Sequence, residues 1–302
     1  VIVAVEDLSH SYGDRAALCG LSLRVERGCI YGVLGPNGCG KSTLFRILST
    51  LMAPSSGRAS VGGFDVVRQA QQVRRRIGVV FQSASLDRKL TVVENLRAQG
   101  RLYGLRGGEL SRAAGEVLER FRLQDRANDI VETLSGGLKR RVEIAKALLH
   151  GPEVLLMDEP STGLDPAARR ELADYIGRLR EERGTTVLLT THILDEAERC
   201  DRLLLLSRGR RVAEGSPAEL KARVGGDVVI FESDTVNGWV PELARRFNVQ
   251  PQVIDGRVRV EIPNGHRFAA EAVEAFPGVI QSVSMHKPTL EDVFLDETGE
   301  TI

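Results

Sequence analysis

Short apolar runs alternate with stretches of helical spacing through about residue 220. Five runs have the length and content of buried strands: Cys29–Leu34, Ile77–Phe81, Val154–Met157, Thr186–Thr190 and Arg202–Leu206. Parallel strands need crossovers and bury both faces, so this alternation predicts an α/β domain with substantial parallel sheet. Between Arg101 and Ile130 the spacing is helical, with Leu118, Phe121 and Arg122 following Ala114, and Gly107-Gly108 predicts a break. Arg74-Arg75-Arg76 reads as the solvated end of a helix.

Gly225-Gly226 predicts a hinge, dividing the chain into residues 1–224 and a smaller domain of residues 225–302. Val228–Phe231 has the content of a strand, and Trp239, Leu243 and Phe247 fall on one helix face. Asp255-Gly256 between two extended segments is a type I′ hairpin signal. After it Val258, Val260 and Ile262 alternate with Arg257, Arg259 and Glu261, which predicts one buried and one wet face. Phe268, Ala272, Val273 and Phe276 predict another helix, and Val279–Met285 another strand. This βαββαβ order resembles a ferredoxin-like unit. Thr289 and Asp292 fit a capping box for a short helix carrying Leu290, Val293 and Phe294. No catalytic constellation occurs in this part.

Composition narrows the classes. The chain has 302 residues, 42% hydrophobic and 27% charged, as expected of a soluble protein with a proper core. With 41 basic and 41 acidic residues, nothing electrostatic points to nucleic acid. Cys19, Cys29, Cys39 and Cys200 lack C-x-x-C spacing and His partners, so reduced thiols in the cytosol are expected. No apolar run approaches the roughly 20 residues that cross a bilayer. Val1–Asp7 also lacks a basic region followed by a signal core.

The chemistry begins at Gly35-Pro36-Asn37-Gly38-Cys39-Gly40-Lys41-Ser42-Thr43, which fits G-x-x-x-x-G-K-[ST] between a predicted strand and a predicted helix. Glycines let successive N–H groups turn inward around phosphates, and the following helix adds its positive end. Lys41 is placed to reach the terminal phosphates and the Ser42 hydroxyl to bind Mg²⁺. Alkylation of Cys39, inside this loop, is expected to block nucleotide binding. The apolar run Val154–Met157 ends in Asp158 and Glu159. Asp158 suits Mg²⁺, through water, and Glu159 could polarise a water for attack on the γ-phosphate. Ser135-Gly136-Gly137 opens a further helix and forms a second anion-binding terminus. One nucleotide needs one cradle, so the second terminus is expected to serve a nucleotide held by another copy, in a two-fold pair.

These segments together resemble the nucleotide-binding subunit of ATP-binding cassette (ABC) transporters over roughly Val3–Leu220. The Walker A loop is Gly35–Thr43, the signature Leu134–Gly137, Walker B Val154–Asp158 and the D-loop Ser161–Asp165. The resemblance implies a P-loop cassette over residues 1–224, with a RecA-like α/β core, an N-terminal antiparallel part and a helical subdomain at about 85–150. A small α+β ferredoxin-like domain follows. It further implies that Tyr12 stacks on adenine, that Gln82 senses Mg²⁺ and the attacking water, and that His192 contacts the γ-phosphate. Asp165 joins the nucleotide-binding set. Gln82, with Ser83–Thr91, is also implied to meet the membrane partner. ATP and Mg²⁺ are the implied ligands. A homodimer of cassettes at the cytoplasmic membrane face, a separate permease and no nucleic acid are the implied setting.

Within the family, Gly136–Arg141 and Leu290–Leu295 are similar to the drug-export group that confers daunorubicin and doxorubicin resistance. Leu138 stands where many cassettes have Gln, and Cys39 where Ala is commoner. The alternatives are an importer ATPase with a regulatory tail, a chromosome-maintenance or DNA-repair ATPase, or a translation factor carrying two cassettes, against which stands the single phosphate loop. The second lacks support, because Gln82 and Ser135 are 53 positions apart without sustained heptads.

Overall fold

The computed structural model describes residues 1–83, 85–234, 236 and 238–300. It divides into two compact units, Val1–Glu214 and Gly215–Ile302. Gly225-Gly226 lies inside the second unit, just before the strand Asp227–Glu232, rather than at the division.

The first unit holds two sheets. An antiparallel sheet has the order Arg15–Val25, Val3–Tyr12, Ser56–Val61, Phe64–Asp65. A six-stranded sheet runs Arg210–Gly215, Arg202–Ser207, Ile30–Leu34, Thr186–Thr191, Val154–Asp158, Ile77–Val80. The pairings from Arg202–Ser207 through Ile77–Val80 are parallel. All five predicted buried strands appear, displaced by at most a residue at either end. Ile30–Leu34, Val154–Asp158 and Thr186–Thr191 are buried at every position, as covered parallel strands must be.

The helix Lys41–Leu48 contacts strands of both sheets, burying Leu44, Phe45, Ile47 and Leu48. Each such side chain contributes about 1.5–3 kcal/mol on burial. The phosphate loop ahead of this helix is thereby anchored to the hydrophobic core of the unit. Between residues 85 and 150 the longer elements are the helices Val92–Leu102, Gly107–Arg120 and Gly136–Leu148. Gly107-Gly108 begins the second of these rather than interrupting a helix, and the break falls just before it, where Gly104 has φ 86°. Phe121 caps that helix and Arg122 leaves it at φ 53°. Arg74–Arg76 form the last turn of the helix Ala70–Arg76, as expected.

The second unit has an antiparallel sheet in the order Gln252–Ile254, Arg257–Ile262, Asp227–Glu232, Ser282–His286. The helices Val240–Phe247 and Gly265–Ala275 complete the ferredoxin-like order. Asp255 and Gly256 both have positive φ between paired Ile254 and Arg257, as a type I′ turn requires. Trp239, Leu243, Phe268, Ala272 and Phe276 pack with Phe231, Val258 and Val260 in one core.

Three expectations fail in this unit. Val273 is 42% exposed and faces away from the core. The last strand begins at Ser282, because Val279 is still in the turn after Phe276. Arg259 is buried instead of wet. The helix Leu290–Thr298, which opens with the predicted Thr289–Asp292 capping box, covers its side of the sheet. Arg259 there meets Glu261 at 2.6 Å, Asp296 at 2.9 Å and Asp292 at 3.3 Å.

Candidate active site

Strand ends of the parallel sheet supply most of the candidate side chains, and Tyr12 comes from the end of a strand in the antiparallel sheet. Ile30–Leu34 runs into the phosphate loop, where Gly35 N–H donates to the Thr191 carbonyl of the adjacent strand. A Cβ on Gly35 would lie 2.2 Å from the Leu206 carbonyl oxygen. Gly40 has φ 113°, and a Cβ there would lie 2.4 Å from the Ala17 carbonyl oxygen. Only glycine meets both requirements at these two positions.

The loop borders an open cleft of about 760 Å³. Asn37, Gly38, Gly40, Lys41, Ser42 and Thr43 line it together with Tyr12, Gln82, Glu159 and His192. Tyr12 is 46% exposed at the end of the first strand, its hydroxyl 3.4 Å from Met52 Sδ. The Lys41 ammonium is buried, donating to the carbonyls of Gly35 at 2.7 Å and Pro36 at 3.0 Å. It also stands 3.4 Å from Glu159 Oε1.

Glu159 is the hub of the cleft. Its carboxylate accepts from Gln82 Nε2 at 3.2 Å and Thr162 Oγ1 at 3.3 Å. His192 Nδ1 lies 3.3 Å from Oε1 without hydrogen-bond alignment. Glu159 has φ 45°, a strained value for a residue with a side chain. Its N–H is held by the Thr190 carbonyl and hydroxyl at 3.1 and 3.0 Å.

Asp158, one residue earlier, is buried behind the cleft. Its Oδ1 accepts from Thr190 Oγ1 at 2.6 Å and faces Ser42 Oγ at 3.4 Å. The hydroxyl and carboxylate together form an all-oxygen donor pair of the kind that suits Mg²⁺, an ion that takes few protein ligands and keeps its waters.

Cys39 departs from expectation. It is 4% exposed, packs in the hydrophobic core and does not line the cleft. Burial raises its thiol pKa, so slow reaction of this side chain beneath the loop is expected. The predicted block by alkylation should therefore be slow in the native protein.

Ser135, Gly136, Gly137 and Asp165 also lie outside the cleft lining. Ser135 caps the helix Gly136–Leu148, its Oγ accepting from Leu138 N–H. Asp165 caps Pro166–Arg183, accepting from Ala167 and Ala168 N–H at 2.9 Å each. Of the Ser83–Thr91 stretch, Ala84 lies outside the described residues.

Thr162, Thr190 and Arg140 also touch this network and escaped the sequence reading. A signal existed for Thr190: Thr186–Thr191 ends in two hydroxyls after three apolar residues, beside the acidic strand end.

Comparison with known proteins agrees with this geometry. The ABC transporter family profile matches residues 18–162. Daunorubicin resistance ATP-binding protein DrrA3 of Streptomyces coeruleorubidus is 43% identical, covering 99% of this chain and 96% of the relative. Nod factor export ATP-binding protein I of Cupriavidus pinatubonensis is 40% identical, covering 99% and 91%. A solved dimeric ATP-binding cassette in a post-hydrolysis state, bound to ADP and Pi, matches with a TM-score of 0.65. It is 30% identical and covers 71% of this chain and 98% of that one. Strand order, phosphate loop and near full-length similarity agree: the chain belongs to the ABC transporter family as an ATP-binding subunit of the daunorubicin-resistance-like export group, an ATPase whose hydrolysis of ATP powers transport.

Proposed function

We propose that this protein works as a homodimer of cassettes at the cytoplasmic membrane face, driving efflux of a drug-like or lipid-like substrate through a separate permease. The observation that carries this reading is a division of parts. Lys41, Ser42, Gln82, Glu159 and His192 share one cleft, while Ser135–Gly137 stand outside it at a helix N-terminus. A second copy can bring that terminus to the open side of the cleft, and a similar cassette is dimeric with ADP and Pi. Among the described residues no helix is long and apolar enough to cross a membrane, which fits a separate permease. The cargo class follows from relatives named for daunorubicin resistance and Nod factor export.

In this reading Tyr12 stacks on adenine, the phosphate loop and Lys41 hold the phosphates, and Glu159 orients the attacking water. His192 and Gln82 contact the γ-phosphate side. Ser42 and Asp158, with Gln82, hold Mg²⁺, which when bound neutralises charge on the phosphates. ATP changes the conformation because it favours the closed pair over the open one. Reopening follows loss of the bridging phosphate.

The test is Lys41→Ala. It should lose ATP binding or turnover, and wild-type turnover in the variant would overturn the site assignment. For export, a six-helix permease should co-purify with the protein without a substrate-capturing binding protein. Recovery of such a binding protein would favour import.

A further inference from the structure

We infer that Arg140 is a positioning residue that ties the signature helix to both segments presenting catalytic side chains, Glu159 and Gln82. This rests on the roles proposed for those two residues. Arg140 lies in the helix Gly136–Leu148 and is 8% exposed. Its Nε donates to the Pro160 carbonyl at 2.6 Å. Its Nη1 donates to the Phe81 carbonyl at 2.7 Å and to Glu143 Oε2 at 2.8 Å. Its Nη2 makes a longer contact, 3.5 Å, with the Glu159 carbonyl.

The Phe81 carbonyl belongs to the peptide that begins Gln82, the Glu159 carbonyl to the peptide that follows Glu159, and the Pro160 carbonyl to the next peptide. One planar cation therefore fixes the backbone on which both side chains are mounted. Glu143 extends the tie, because its Oε1 accepts from Ser85 N–H at 2.7 Å. Lys146, farther along the same helix, donates to the Ser85 carbonyl at 2.6 Å.

Two features favour positioning over packing alone. A positive φ at Glu159 persists only where neighbours over-determine it. Thr190 holds the N–H side of this residue, and Arg140 holds the carbonyl side. A buried ion pair is also a poor source of stability compared with apolar filling, whereas a rigid fork of donors is well suited to fixing several carbonyls at once. Because Arg140 follows Ser135 by little more than one helical turn, displacement of the signature end moves the catalytic backbone of the same subunit.

The test uses full-length Arg140→Met and Arg140→Lys, measuring steady-state ATPase, equilibrium binding of a non-hydrolysable ATP analogue, and thermal unfolding. Arg140→Met should lower kcat by about 10- to 100-fold, the range for a misplaced catalytic group. KM and analogue Kd should stay within about threefold, since the phosphate loop, Lys41 and Ser42 are not among the partners of Arg140. Arg140→Lys should recover part of kcat. A folded Arg140→Met with wild-type kcat, or one losing analogue affinity in proportion to kcat, would overturn the inference. If Arg140→Met does not fold, Glu143→Gln carries the test: a reduced kcat with unchanged Kd supports positioning, and a wild-type kcat refutes it. Failure of the wild-type protein to bind the analogue would instead strike the nucleotide-site reading itself.

Discussion

Lys41 Nζ stands 3.4 Å from Glu159 Oε1, and both side chains are buried. The cation proposed to hold the phosphates and the carboxylate proposed to orient the water pair with each other. A triphosphate must take Lys41 away from Glu159 and then sit beside that carboxylate's negative charge. Removing the charge relieves both oppositions. Glu159→Gln should therefore bind ATP several-fold more tightly while hydrolysing it slowly, as read by fluorescent-nucleotide titration beside a phosphate-release assay. Equal or weaker affinity would contradict the arrangement.

Thiol reactivity separates the four cysteines. Cys39 is buried in the core with its pKa raised by burial, and burial likewise raises Cys29 to about 11 and pushes up Cys200. Thiolate is the reactive form, so iodoacetamide at pH 8 should label Cys19 first in the native protein and all four thiols after denaturation. Mass mapping of the adducts checks this. Labelling of Cys39 as fast as Cys19, with loss of ATP binding, would restore the expectation drawn from sequence.

Much of the cassette could be read from sequence because its parts are local. A parallel strand buried on both faces is a continuous apolar run, and the phosphate loop and acidic strand end are contiguous strings. What escaped depends on which surfaces meet. Arg259 alternates with valines and reads as solvent-facing until the helix Leu290–Thr298 is laid over it. Cys39 has a loop's sequence neighbours but the core's spatial ones. Arg140 sits in a basic string, Lys139-Arg140-Arg141, and only folding directs it to carbonyls at Phe81 and Pro160.

Arg259 is the ionic anchor of the second unit. Replacing it by Met leaves Glu261, Asp292 and Asp296 crowded around an apolar side chain. Breaking one side of a buried ion pair typically destabilises by about 3–5 kcal/mol. Arg259→Met should lower the unfolding midpoint seen by Trp239 fluorescence, a probe inside this unit. An unchanged midpoint would show that the cluster contributes nothing.

His150 adds a pH dependence. Its ring stacks on Tyr103 at 3.7 Å and its Nε2 lies 3.0 Å from the Ile77 carbonyl, while burial lowers its pKa from 6.5 to about 4. Above pH 6.5 the ring is neutral whether the chain is folded or unfolded. As pH falls from 6.5 towards 4 the unfolded chain takes up a proton that the folded one refuses, so stability declines across that window. The share from this residue is about 2 kcal/mol between pH 7 and pH 5. Urea unfolding at the two pH values should give a smaller difference for His150→Gln than for the wild type, and an equal difference would refute the assignment.

Sharing of the nucleotide between two copies is tested most directly by the mass of Glu159→Gln in solution with saturating ATP and Mg²⁺. Analytical ultracentrifugation should find a dimer that forms with ATP, is absent without nucleotide, and is lost when Ser135 is also replaced by Arg. A strictly monomeric Glu159→Gln under ATP saturation would contradict the composite site.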